Sequence, residues 1–295
     1  MNPKLLAHIA LFIAQVIYGV SFVVAKDFTH DWIPPLGLVI WRAGGAAILF
    51  WLSAMLFLRE KVTPKDLLYF VLLAVFGVAI NQMLFLTGLD LTSSIHAAIM
   101  MITTPILVLV LAAFIIKERI TLIKALGVAL GFAGAAALMY SGSGEKSGTA
   151  DPWGDLFVLL NATSWGMYLI LVKPQMKKYH TITILKWVFT FGFFLVLPFG
   201  WENARHANYL AFSDEAWWCL AFIIVGTTFV AYLLNTYALK ALSPAIVSAY
   251  IYLQPVLTAM IAIWMGKDHL DTGKVLSALC ICAGVYMVSY QKQKL

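Results

Sequence analysis

The stretch Ser141-Gly142-Ser143-Gly144-Glu145-Lys146-Ser147-Gly148-Thr149-Ala150-Asp151 falls close to the midpoint of a 295-residue chain. Small and polar throughout, it has the composition of a flexible linker. Apolar runs at 122–140 and 154–172 flank it, each long enough to cross the hydrocarbon core as a helix. Working outward, further runs occupy 95–116, 66–87, 35–57 and 5–25 on one side, and 182–200, 216–237, 245–266 and 273–290 on the other. The sequence therefore predicts an all-α integral membrane protein with ten transmembrane helices. Five lie in a first repeat, 1–140, and five in a second, 152–295, joined by the linker 141–151.

Bulk composition agrees with this reading. Hydrophobic residues make up 62% of the chain and charged residues 12%, with a mean hydropathy of +0.89, whereas soluble domains hold roughly 45–50% apolar and about 25% charged residues. The net charge of +6 does not mark a nucleic-acid binder, because the basic residues sit in short connectors rather than on one recognition element. Cys219, Cys280 and Cys282 all fall inside apolar runs, which argues against a disulfide framework. Cys280 and Cys282 are two apart and face different sides of a helix, so no metal or other cofactor is expected. The first run is too long for a signal-peptide core and is read as a retained span.

The connectors also orient the chain. With the N-terminus inside, inner segments carry fourteen Lys and Arg and outer segments five, leaving Arg42 within a span. This positive-inside bias places both termini in the cytoplasm. The halves also match each other. Tyr18-Gly19 and Lys26 recur 147 residues later as Trp165-Gly166 and Lys173. Pro105, Glu118, Lys124, Ala133-Gly134 and Tyr140 recur 150 residues later as Pro255, Asp268, Lys274, Ala283-Gly284 and Tyr290. An odd number of spans per half makes the second half enter in the opposite sense. Such inverted repeats typify secondary transporters.

The same residues carry a family resemblance. Gly88-Leu89-Asp90-Leu91-Thr92-Ser93-Ser94, Thr104-Pro105-Ile106 and Lys117-Glu118-Arg119-Ile120-Thr121 resemble the signature of the EamA-type transporters of the drug/metabolite transporter superfamily. A looser second copy runs through Ala238-Leu239-Lys240-Ala241-Leu242-Ser243-Pro244, Gln254-Pro255-Val256 and Gly266-Lys267-Asp268. Tyr18-Gly19-Val20-Ser21-Phe22 through Lys26 is similar to the family's opening helix. The resemblance implies a central cavity, alternating access, and export of a small metabolite such as an amino acid across the bacterial inner (plasma) membrane. Arg42 has no basic counterpart near Phe189.

Candidate site residues are polar or aromatic groups that lipid would not solvate. Arg42 lies about seven residues inside the second run, where a charge costs about 2.5–3.5 kcal/mol. It either pairs with backbone carbonyls and the interface or binds an anionic substrate group. His96, Met100 and Thr104 form one i, i+4, i+8 stripe, and Tyr250, Gln254 and Thr258 form another. The two are expected to face each other across one cavity. Each meets a proline, Pro105 or Pro255, that would free the carbonyl of Met101 or Ile251 and act as a hinge or as a simple packing kink. Tyr18, Asn81, Trp165 and Tyr168 complete the expected lining, with Gln15, Gln82, Asn161, Tyr232 and Asn235 as further inward polar groups. Trp32, Trp51, Trp153, Trp201, Trp217, Trp218 and Trp264 read as interfacial anchors. Gly127 and Gly131 form a GxxxG face for close helix contact within one chain or in a homodimer. No zinc-protease motif or nucleophile elbow points to an enzyme. The alternative is a membrane receptor or assembly scaffold, but short connectors give it little extramembrane surface.

Overall fold

The computed structural model describes residues 2–58, 60–92, 94–142, 151–264 and 272–290. Most of the linker, the segment Gly266-Lys267-Asp268, and the side chains of His96 and Thr258 lie outside what is described. Every described element is helical. In order they are α1 (Pro3–Asp31), α2 (Pro35–Phe57), α3 (Pro64–Ala74), α4 (Ile80–Leu91), α5 (Ser94–Met101), α6 (Thr104–Ile115) and α7 (Leu122–Gly142). After the linker come α8 (Pro152–Val172), α9 (Thr181–His206), α10 (Asp214–Ala221), α11 (Ala231–Ala238), α12 (Pro244–Ala249), α13 (Leu253–Trp264) and α14 (Thr272–Ser289).

Prolines open α1, α2, α3, α8 and α12, positions where the missing N–H costs nothing and φ is already set. Side chains of Asn2, Thr63, Asp151, His180 and Ser213 cap helix starts, satisfying amides that have no partner within the helix. Lys117 follows α6 in the left-handed region at φ 53°. There the chain turns back so that the Glu118 amide reaches the Ala112 carbonyl at 3.1 Å, giving that carbonyl a second donor beside the Ile116 amide.

Seven helical stretches among the described residues are long and apolar enough to cross a membrane: Pro3–Ser21, Pro35–Leu56, Pro64–Leu91, Pro152–Lys177, Thr181–His206, Asp214–Ala238 and Thr272–Ser289. Three shorter apolar helices cover Thr104–Ile115, Leu122–Leu138 and Pro244–Leu257. The expectation of ten full-length spans is thus met by seven. The fourth and ninth runs are each broken, and the breaks lie just ahead of the prolines. Ile102–Thr103 form a turn between α5 and α6, and Tyr250–Tyr252 form a 3₁₀ turn between α12 and α13. A proline removes one i→i−4 bond and pushes the carbonyl four residues back out of the ladder. The third and eighth runs instead stay continuous through π-helical segments, Val75–Ala79 and Phe222–Val230.

Leu56, Leu68, Phe114 and Leu122 are each more than 70% exposed. Such side chains suit a lipid solvent, which makes this a multi-pass membrane protein. Lipid tails are as apolar as leucine, so close packing and interhelical bonds hold the bundle rather than hydrophobic burial. α2 packs antiparallel on α9, where Trp51 Nε1 donates to Thr190 Oγ1 at 2.9 Å and Gly37 meets the backbone of Asn203 and Ala204. α7 packs antiparallel on α14. A Cβ at Gly134 would stand 2.9 Å from the Ser277 carbonyl, and one at Gly284 would stand 2.6 Å from that of Gly127. The GxxxG face is therefore spent inside the chain. α4 lies against α8, and α1 against α11.

Candidate functional site

The second π segment and the two broken helices meet at one central cavity of about 90 Å³. α1 contributes Gln15, Tyr18 and Ser21, α2 contributes Arg42, and α4 contributes Asn81 and Phe85. Asn161 and Trp165 come from α8, Ile223 and Thr227 from the second π segment, and Tyr232 and Asn235 from α11. Met101, Ile251 and Gln254 come from the two broken helices. On α1, α4 and α8 the lining residues lie toward the face opposite the N-terminus. On the N-terminal side, Tyr168, fully buried, stacks on Trp165 with ring centroids 5.3 Å apart and shares a hydrogen bond with Thr236.

Backbone irregularity supplies the lining's polar anchors. In a π turn the N–H bonds five residues back, which leaves carbonyls open to side chains. Ser164 Oγ donates to the Phe76 carbonyl at 2.7 Å, and the Tyr232 hydroxyl lies 3.0 Å from both the Gly77 carbonyl and Asn81 Oδ1. In the second π segment the Ile223 carbonyl accepts from the hydroxyls of Thr227 and Thr228. Asn161 Nδ2 donates to the Asn81 carbonyl at 2.7 Å, and Gln254 Nε2 donates to Gln15 Oε1 at 2.8 Å.

Arg42 is only 7% exposed. Its Nε donates to Thr228 Oγ1 at 3.1 Å, the one hydrogen bond the guanidinium makes among the described residues. No Asp or Glu lines the cavity among the described residues. The buried Asn161 Oδ1 also has no hydrogen-bond partner among the described residues.

Of the residues expected at the site, Tyr18, Arg42, Asn81, Trp165 and Gln254 line this cavity. Met100, Thr104, Tyr168 and Tyr250 do not; the breaks account for all but Tyr168, which stacks on Trp165. A 3₁₀ turn eclipses residues three apart, so Ile251 shares the lining with Gln254, while Tyr250 turns away to meet His8 Nδ1 at 2.7 Å. The turn at Ile102–Thr103 likewise brings in Met101 rather than Met100. Thr104 is fully buried, and its hydroxyl donates to the Met101 carbonyl at 2.6 Å. That carbonyl, expected to be free, is therefore satisfied. Pro105 lies buried in the first turn of α6, and Pro255 is partly buried in the first turn of α13. Ser21, Phe85 and Thr227 were not anticipated. Phe85 was within reach, since the 147-residue offset maps it onto Tyr232.

On the N-terminal side of the cavity, Lys173 Nζ donates to the carbonyls of Leu239 and Leu242, the latter at 2.7 Å. It joins the end of α8 to the turn after α11. Nearby on the same face, Asp66 accepts from Lys178 at 3.0 Å and from Tyr179 at 2.8 Å. Glu60 accepts from the His180 amide, whose side chain caps α9 through Nδ1. Burial, with Lys240 adding to it, holds the His180 imidazole below its ordinary pKa, and Glu60 opposes the shift.

Known proteins agree with this architecture. An "Uncharacterized transporter" of Archaeoglobus fulgidus is 25% identical, with all of both chains covered. The "Uncharacterized transporter YyaM" of Bacillus subtilis is 24% identical over 96% of this chain and 93% of its own. "Protein WALLS ARE THIN 1" of Arabidopsis thaliana is 27% identical over 99% of this chain and 84% of its own. A solved crystal structure, 16% identical, covers 95% of each chain at a TM-score of 0.76 and shares the fold. The family model described as the EamA-like transporter family matches residues 5–140 and again 152–290. Nearly the whole chain is covered by these two matches, and it belongs to the EamA-like transporter family.

Proposed function

We propose that this membrane transporter is a secondary transporter that carries a small polar metabolite by alternating access, with the central cavity as its substrate site. In this reading residues 1–140 and 152–295 are inverted five-helix repeats joined by 141–151. The observation that carries the proposal is the pairing of cavity residues under the repeat offsets. Tyr18 with Trp165, Phe85 with Tyr232, and Met101 with Ile251 all line the one cavity. Helix packing supports the same two-fold relation. α2 meets its counterpart α9, α7 meets α14, and the pair α4–α8 corresponds to α11–α1. Gly134 against Ser277 and Gly284 against Gly127 are related by the same 150-residue shift.

The Lys and Arg count puts the N-terminal face and both termini in the cytoplasm, and the bacterial inner (plasma) membrane is the expected location. The cavity then lies toward the outer face, with Tyr168 and the Lys173 bridge closing the cytoplasmic side. This is one of the two states that alternating access requires. Export of an amino acid or similar metabolite is the direction implied by the family.

Proteoliposomes loaded with a mixture of amino and hydroxy acids test the reading. Protein-dependent efflux of at least one compound is expected, with cysteine at Ser147 labelled only from outside when the native cysteines are replaced. Absence of any flux would favour a receptor or scaffold, and labelling of S147C only from the cytoplasmic side would sink the topology.

A further inference from the structure

Beyond the presence of a transport cavity, its chemistry limits what fits. Arg42 brings a permanently charged guanidinium to a site with no carboxylate among its lining residues. Only its Nε is engaged, by Thr228. Neither terminal nitrogen has a hydrogen-bond partner among the described residues. A buried cation without a counterion is costly, and a planar fork of N–H groups matches a carboxylate bidentately. The second unmatched group is Asn161. Its Nδ2 is spent on the Asn81 carbonyl, and its Oδ1 is buried without a hydrogen-bond partner among the described residues. An acceptor in that condition favours a ligand that brings a donor hydrogen. The third feature is the wall. Trp165 and Tyr232 meet edge to face at 5.2 Å, with Phe85 also on the cavity.

We infer that the cavity selects a small carboxylate that carries a hydroxyl or amino donor beside the acid group and a flat apolar body. The carboxylate pairs with Arg42, the donor meets Asn161, and the body lies against Trp165. This rests on the cavity being the transport site. It adds that Arg42 sets the charge class and Asn161 discriminates among acids.

Four compounds sharing one phenyl body separate the contributions: L-phenyllactate, L-phenylalanine, 3-phenylpropionate and phenethylamine. Binding to the full chain in lipid nanodiscs, read by calorimetry, is expected for both donor-bearing acids. Phenylpropionate should bind about tenfold more weakly, the loss of one hydrogen bond. Phenethylamine should bind at least about thirtyfold more weakly, because it leaves the Arg42 charge unpaired. R42Q should erase the gap between acids and amine. N161D should move preference toward phenethylamine. If R42Q does not fold, the wild-type series still decides. Equal or better binding of phenethylamine overturns the inference, and so does failure of all four compounds to bind. Efflux of compounds lacking a carboxylate would overturn it while leaving the transporter reading intact. Selective binding without any flux would do the reverse.

Discussion

Replacing Lys173 by methionine tests whether the N-terminal side of the cavity is held shut by one side chain. Methionine keeps most of the length and apolar bulk while removing the ammonium. The loss is two hydrogen bonds, to the carbonyls of Leu239 and Leu242. Bonds involving a charged group contribute roughly 1.5–3 kcal/mol each. Because the lysine is half-buried, the low end of that range applies, about 3 kcal/mol for the pair. At 1.4 kcal/mol per tenfold, local opening should become about 150-fold more frequent. The reporters are the amides of Lys240, Ala241 and Leu242, which bond back to Tyr237 and Ala238 in the turn that Lys173 holds. Hydrogen exchange followed by mass spectrometry in nanodiscs should show their protection falling by about two orders of magnitude. The start of α2 and the end of α9, on the opposite face from the bridge, should be unaffected. Unchanged protection across 239–244 would refute the reasoning, because the two carbonyls would then be held without the lysine.

Three further outcomes follow from local geometry. Gly284→Ala puts a methyl 2.6 Å from backbone atoms of Gly127 and Gly131. Even after the roughly 1 kcal/mol that alanine gains over glycine in a helix, thermal unfolding in detergent should show a net loss of about 1–2 kcal/mol. Gly166→Ala, whose tightest contact is a Val108 methyl at 3.0 Å, should be near neutral, and equal melting temperatures for the two variants would count against the packing. Acidification should weaken the start of α9. His180 sits below its usual 6.5 because of burial and Lys240, so the folded chain binds fewer protons than the unfolded one. Its contribution is full above about pH 6.5 and falls as pH drops through the folded value, where protonated Nδ1 can no longer accept from the Ile182 amide. About 1 kcal/mol should be lost, and His180→Asn should remove that part of the pH dependence of the melting temperature. Lys117→Gly should raise stability by about 1 kcal/mol, since the left-handed backbone there suits glycine, and no rise in melting temperature would show the turn relaxes otherwise.

Hydropathy and the Lys/Arg distribution made the helices and their order legible, because a bilayer imposes long apolar runs. The breaks were half legible. Pro105 and Pro255 announced them, but the sequence did not say that the Thr104 hydroxyl would take up the Met101 carbonyl. The stripes failed in part because they assumed 3.6 residues per turn throughout. The 3₁₀ turn at Tyr250–Tyr252 shifts the phase, so Ile251 joins Gln254 on the cavity and Tyr250 leaves it. Tyr168 was misplaced for a different reason. Aromatic residues three apart on α8 stack on each other, and only Trp165 faces the space. Arg42, Asn81 and Gln254 line the cavity, and their inward facing was legible because polar groups inside apolar runs have few tolerable environments. Nothing in the residues of Val75–Ala79 or Phe222–Val230 marks a π turn, since its composition is that of any membrane helix.

Those π turns have a consequence for how the chain tolerates length changes. Each holds extra backbone relative to an α-helix, and one residue turns an α-helix by about 100°. Excising a single residue from Val75–Ala79 would let the segment relax to ordinary α geometry without breaking the span. Because a π turn spans one residue more than the α turn it replaces, everything beyond it, Asn81 and Phe85 included, would keep nearly its present facing, whereas the same excision from a regular α segment would swing it by about 100°. The same holds for Phe222–Val230 ahead of Tyr232 and Asn235. A one-residue gap is therefore admissible at either π segment, where it leaves unchanged which side chains see the cavity, while the same gap elsewhere in the span would redraw that lining.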